Sequence, residues 1–259
     1  MAIGSMFKTI PNAKPKNIEV QQIDSTKLSE YKAETRFIWF GHSAFLVQIK
    51  GKNLLIDPMF GDVPAPHPLL GGKRFSKTLP IEIEQLPKID AVLISHDHYD
   101  HLDYGSIKRL KHKVGTFFTP LGVGAHLRKW GIPDDKIVEL DWWEETVFDD
   151  LNFTSTPAQH FSGRGLTDRD KTQWCSWVIQ SETEKIFFSG DSGYAPHFKE
   201  IGNKYGPFDF AMMECGQYNE LWHEVHMFPE ETAQAGLDVK AKRIMPIHWG
   251  AFKLAPHSW

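Results

Sequence analysis

The chain has 259 residues, 41% of them hydrophobic and 24% charged, with 13% aromatics and a net charge of −4. A chain this long buries about three-quarters of its extended surface on folding, so neither disorder nor disulfide stapling is expected. The charge gives no global field for nucleic acid, two cysteines make no disulfide framework, and no apolar run is long enough to span a bilayer. These features point to a cytoplasmic protein.

Residues 1–34 are polar and mixed and read as a loosely attached arm with a short helical piece, Gly4-Ser5-Met6 being a cloning remnant. Regularity begins at Arg36, and 35–259 reads as one domain. The apolar runs at 37–40, 44–49 and 53–56 are strand-like, with Gly51-Lys52 turning a hairpin and Asp57-Pro58 ending the last strand. Residues 58–88, rich in Pro and Gly, read as a surface excursion. Within it, Leu69-Leu70 followed by Lys73-Arg74 is an apolar-plus-basic stretch suited to peripheral membrane contact. Further on, strands are expected at 91–94, 116–119, 137–140, 145–148, 152–156, 173–180, 185–189, 208–213 and 243–247. Helices are expected at 103–113, 121–130, 195–205 and 229–239. Strands that pair first and then alternate with helices give an α/β (α+β) fold of two sheets flanked by helices.

Ser95-His96-Asp97-His98-Tyr99-Asp100-His101 lies between a buried strand and a helix, where loops carry function. Even with thirteen histidines, His-x-His-x-Asp-His arises by chance only roughly 0.002 times in such a chain. His96 and His98 leave the strand on one side and address one cation; Asp100 and His101 follow the turn and address a second. Imidazole with carboxylate suits zinc foremost, with iron or manganese as alternatives. A polar helix cap at Asp100 or Asp103 accounts for one carboxylate but not for three histidines in six positions. His160, Asp191 and His248 each end an extended segment and are the candidates to complete the sites.

With these residues in order, the sequence resembles the metallo-β-lactamase superfamily of binuclear metal hydrolases. More narrowly, it is similar to the N-acylphosphatidylethanolamine-hydrolysing phospholipase D branch and its bacterial relatives. The supporting pieces are Trp39-Phe40-Gly41-His42, Leu55-Ile56-Asp57-Pro58, Lys73-Arg74-Phe75, Pro157-Ala158-Gln159-His160, Trp174-Cys175-Ser176-Trp177, Gly190-Asp191-Ser192-Gly193-Tyr194 and His248-Trp249-Gly250. The resemblance implies a four-layer αββα sandwich, one metal held by His96, His98 and His160, a second by Asp100, His101 and His248, and Asp191 bridging them. It runs from about Arg36 to the end, and the chain reads as a short or C-terminally truncated member.

The expected activity is phosphodiester hydrolysis of phospholipase D type, by a hydroxide held between two cations and oriented by Asp100. His226 either protonates the leaving group or is structural. Lys73, Arg74 and Arg164 are either a phosphate clamp or solvated loop cations. His42 either supports the site from behind or packs in the core. Two other classes stay open: a same-fold hydrolase of a lactone, amide or soluble ester, and a non-hydrolytic metal protein holding iron. The expected partners are a small-molecule or phospholipid substrate and, for assembly, a second copy of the chain.

Overall fold

The computed structural model describes residues 11–30 and 34–259. The expected cloning remnant at 4–6 lies outside the described residues. In the arm, a short helix α1 (Ser25–Ser29) starts at Asp24, whose side chain accepts from the Thr26 amide.

Two six-stranded sheets form the body. The first is built in chain order from β1 (Arg36–Trp39), β2 (Phe45–Ile49), β3 (Lys52–Ile56), β4 (Ile89–Leu93), β5 (Val114–Pro120) and β6 (Ile137–Leu140). The second contains β7 (Glu145–Phe148), β8 (Leu151–Thr156), β9 (Ser176–Gln180), β10 (Lys185–Phe188), β11 (Phe210–Glu214) and β12 (Ile244–Ile247), ordered from β12 at one edge to β7 at the other. The β2–β3 hairpin turns at Lys50-Gly51 rather than at Gly51-Lys52. Both turn residues have positive φ (48° and 73°), the mirror-image turn that matches strand twist. Pro246 sits in β12, an edge strand, where its missing N–H costs the ladder least.

Alternation sorts the side chains into layers. Phe45, Val47, Leu54, Ile56 and Leu93 meet Phe153, Trp177, Ile179, Phe188 and Met212 between the sheets. The opposite faces carry Leu46, Leu55 and Val92 against α2 (Tyr104–Leu110) and α3 (Gly124–Lys129), and Val178, Phe187 and Ala211 against α4 (His197–Lys204) and α5 (Pro229–Asp238). The result is the expected αββα sandwich. Asp103, not Asp100, caps α2, its carboxylate accepting from the Ser106 amide.

The surface-excursion reading of 58–88 is corrected in part. Met59, Phe60, Leu79, Ile81, Ile83 and Leu86 are buried, while the continuous stretch 66–73, with Leu69 (86% exposed) and Leu70 (71%), projects into solvent. No helix among the described residues is long and apolar enough to cross a membrane.

Candidate active site

β3, β4, β8, β10, β11 and β12 all run toward one end of their sheets, since β3 and β4 are parallel, β10–β12 are parallel, and β8 is antiparallel to β9. The loops leaving these strands bring the expected ligands together. Three imidazole nitrogens form a first nest: His98 Nδ1 lies 3.0 Å from His96 Nε2 and 3.2 Å from His160 Nε2. The backing of two rings sets their tautomers. Ser95 Oγ donates to Asp57 Oδ2 and accepts from His96 Nδ1, while His160 Nδ1 donates to the Val225 carbonyl. Both Nε2 atoms therefore present lone pairs to His98. Burial pushes the pKa of His96 and His160 well below the ordinary value, with the neighbouring imidazoles adding to it at His96, so these rings stay neutral.

A second nest lies beside the first. Asp191 Oδ2 is 3.2 Å from His101 Nε2, 3.1 Å from His248 Nε2 and 3.8 Å from both His96 Nε2 and His160 Nε2, so one oxygen faces both nests. Asp100 Oδ2 is 3.3 Å from His248 Nε2 and 2.7 Å from His42 Nε2. Here the imidazoles are backed by carboxylates: His101 Nδ1 is 2.7 Å from Asp57 Oδ2, and His248 Nδ1 is 3.3 Å from Glu214 Oε1. Burial opposes charge on His101 and His248, but Asp191 and the surrounding carboxylates outweigh it and hold both pKa values well above the ordinary value. Burial likewise opposes charge on Asp191, and His101 with His248 overcomes it, holding the acid well below the carboxylate range. His42 behaves differently, its pKa driven by burial and then His248 to about 3, so it meets Asp100 as a neutral donor.

The donors fit a pair of divalent cations. Tetrahedral zinc with nitrogen ligands at roughly 2.0–2.1 Å spaces those ligands about 3.3 Å apart, close to the spacing in the first nest. His98 Nδ1 carries at most one proton for the two lone pairs that meet it, so a cation among the three nitrogens satisfies what a hydrogen bond alone cannot. His101 Nε2 and Asp191 Oδ1 are buried without a hydrogen-bond partner, as donors awaiting a ligand would be.

A cavity of about 270 Å³ opens on the nests, lined by His98, Asp100, Asp191, His226 and His248, with Phe161, Trp222 and Leu254 at its apolar wall. Two other cavities, of about 340 and 370 Å³, gather no such donors. The His226 ring stacks on His248 at 5.2 Å and 11°, and its Nδ1 lies 3.1 Å from Glu214 Oε1. Glu214 thus serves two imidazoles while its other oxygen accepts from the Met227 amide. Gln217 pins the last loop over the cavity, donating to the His248 and Phe252 carbonyls and accepting from the Leu254 and Ala255 amides.

The expected phosphate clamp is corrected. Arg74 is buried, and its three nitrogens donate to the carbonyls of Gly61, Phe40 and Met59. Arg164 donates through Nη1 to the carbonyls of Asp97 and Leu102 and stacks on Tyr99. These cations tie loops together instead of facing the cavity, and Lys73 is solvent-exposed and does not line it. Glu214 was missed, although a lone acid ending the apolar run Ala211-Met212-Met213 is a visible signal. The role of Asp57, which backs both nests, was missed as well.

The fold and this donor arrangement are those of the metallo-β-lactamase superfamily. The chain belongs to that superfamily: residues 52–249 match the family described as beta-lactamase superfamily domain. It is 46% identical over 228 residues, 85% of this chain, to an uncharacterized protein of Mycobacterium tuberculosis, and spans 60% of that protein. It is 35% identical over 228 residues, 83% of this chain, to N-acyl-phosphatidylethanolamine-hydrolyzing phospholipase D 1 of Caenorhabditis elegans, and spans 64% of it. The chain therefore covers less than two thirds of both relatives. Among solved structures, Igni18, a metallo hydrolase from Ignicoccus hospitalis, shares the fold with a TM-score of 0.61 at 22% identity, over 83% of this chain and 82% of that one.

Proposed function

We propose that the protein is a binuclear metal-dependent phosphodiesterase of phospholipase D type. One observation carries the reading: a single carboxylate oxygen, Asp191 Oδ2, lies within 3.8 Å of ring nitrogens from both nests. The likeness to the worm phospholipase D supports the choice of a phosphodiester. His96, His98 and His160 would hold one cation, Asp100, His101 and His248 the other, and Asp191 both. When bound, the two cations supply a water acidic enough to ionise near neutrality and positive charge for the transition state.

The chain's own groups do the rest. Asp100, at the cavity wall, orients the attacking water by accepting its proton. The water oxygen bonds to phosphorus and the bond from phosphorus to the leaving alcohol breaks. His226 gives its Nε2 proton to the departing alkoxide, and Glu214, 3.1 Å from Nδ1, fixes the ring. Trp222, Phe161 and Leu254 exclude bulk water from the donors.

A substrate panel tests the reading. The metal-reconstituted protein is expected to hydrolyse bis(p-nitrophenyl) phosphate faster than lactones or β-lactams and to stop on chelation; faster turnover of the carbonyl substrates defeats it. For a phospholipid substrate, the exposed Leu69-Leu70 tip supports lipid contact. Cosedimentation with liposomes should then weaken in L69S/L70S, and an unchanged bound fraction removes that part of the proposal.

A further inference from the structure

Arg74 and Arg164 are consumed by backbone carbonyls, yet a third arginine, Arg169, packs on a residue of the cavity wall. The guanidinium carbon of Arg169 lies 4.3 Å from the centroid of the Phe161 ring, and Phe161 forms part of the cavity wall, 4.6 Å ring to ring from His98. Among the described residues that line the cavity, none is lysine or arginine.

The loop bearing Arg169 is fastened to the metal loop itself. Gly163 N and Thr172 Oγ1 donate to the two oxygens of Asp97, Tyr99 Oη donates to the Arg164 carbonyl, and Arg164 donates back to the carbonyls of Asp97 and Leu102. At Gly163 (φ +147°) a side chain would meet the Arg169 Cα at 3.3 Å, so the two backbone strands of the loop are in close contact. The Asp168 carboxylate accepts from the Arg164 and Gly165 amides and closes the turn. The backbone that carries Arg169 is therefore held in a defined place relative to the nests. Its ionic partner, Asp170 at 3.5 Å, is 51% exposed and Arg169 is 70% exposed, a pairing worth little in water. An aromatic platform with an available guanidinium suits a planar anion.

We propose that Arg169 is a specificity-determining residue that binds a second negative charge of the substrate, carried on the ester arm that extends out of the cavity. This rests on the phosphodiesterase reading. Substrates with an anionic arm are favoured over neutral ones, and neutral over cationic.

Three p-nitrophenyl phosphodiesters that differ only in the second arm provide the test: 2-carboxyethyl, ethyl and choline. In the parent, kcat/KM ranks carboxyethyl above ethyl above choline, and the spread narrows as salt rises. In R169A the carboxyethyl-to-choline ratio falls about five- to tenfold, through KM and not kcat. R169K restores part of it, and D170N, which frees the guanidinium, raises it. A purely structural Arg169 moves all three substrates together, so an unchanged ratio in R169A overturns the proposal, as does a parent that prefers the choline ester. If no diester is hydrolysed, the phosphodiesterase reading fails separately. The same three compounds, used as competitive inhibitors of whichever substrate is turned over, then report the ratio through Ki, with the same outcomes supporting or overturning the role of Arg169.

Discussion

The two nests that share Asp191 are made of similar donors and are backed in opposite ways. His96 and His160 lean on neutral acceptors, the Ser95 hydroxyl and the Val225 carbonyl. His101 and His248 lean on buried carboxylates, Asp57 and Glu214, and the nest adds Asp100 as a donor of its own. The same residue type is thus held neutral in one place and pushed toward charge in the other. Carboxylate backing orients a ligating imidazole and raises its basicity. The second nest should therefore grip its cation harder, and the first should be the more exchangeable.

The largest effect is expected where the two nests meet. Asp191→Ala removes the shared oxygen, and activity should drop roughly a thousandfold or more, with metal content falling from two ions to one or fewer by elemental analysis. Two ions retained in this variant would break the pairing of the nests through Asp191. Asp57→Asn comes next, because this carboxylate supports His101 directly and His96 through Ser95. A loss of roughly 10- to 100-fold in metal affinity is expected, felt in both nests. Ser95→Ala, which touches the first nest directly and the second only through Asp57, should cost less, and equal losses would show that the backing is not graded as described. Partial chelation sharpens the contrast: the first ion to leave should be the one bound by His96, His98 and His160. His160→Ala should therefore abolish the fast phase of metal release and His248→Ala the slow one.

Much of this was legible beforehand, for physical reasons. Runs such as 91–94 and 186–188 are covered on both faces and so are continuously apolar, which marks a strand without help from its neighbours. His-x-His-x-Asp-His announces itself because its donors are adjacent in sequence. His160, Asp191 and His248 were readable only through their shared place after a strand. The roles of the arginines were not readable, since composition gives the cation but not the carbonyls that accept its hydrogen bonds. Arg74 and Arg164 look like phosphate ligands until the loops they tie together are seen. Loop 58–88 misled for a different reason: Leu79, Ile81 and Ile83 alternate over only five residues among prolines, too short a run to mark a strand, yet they pack.

The smallest effect isolates burial from the influence of carboxylates, which the nests mix. His197, on α4 and away from the donors, has its pKa lowered to about 4 by burial alone, with Ser192 Oγ 3.3 Å from its Nε2. Between pH 6.5 and 4 the unfolded chain binds a proton here that the folded chain refuses, so stability is complete above 6.5 and declines as pH falls. A shift of that size corresponds to roughly 3 kcal/mol at most, and partial exposure of the ring reduces it to about 1–2 kcal/mol. Urea midpoints of parent and His197→Gln, compared at pH 7 and pH 4.5, should converge by that amount at the lower pH. In the metal-free protein His96 and His160 should show the same sign, whereas the raised pKa of His101 and His248 gives stability that is present below 6.5 and fades as pH climbs. Acid lability that is unchanged by His197→Gln, or a common sign for all these imidazoles, would mean that the environment does not divide them as the two nests imply.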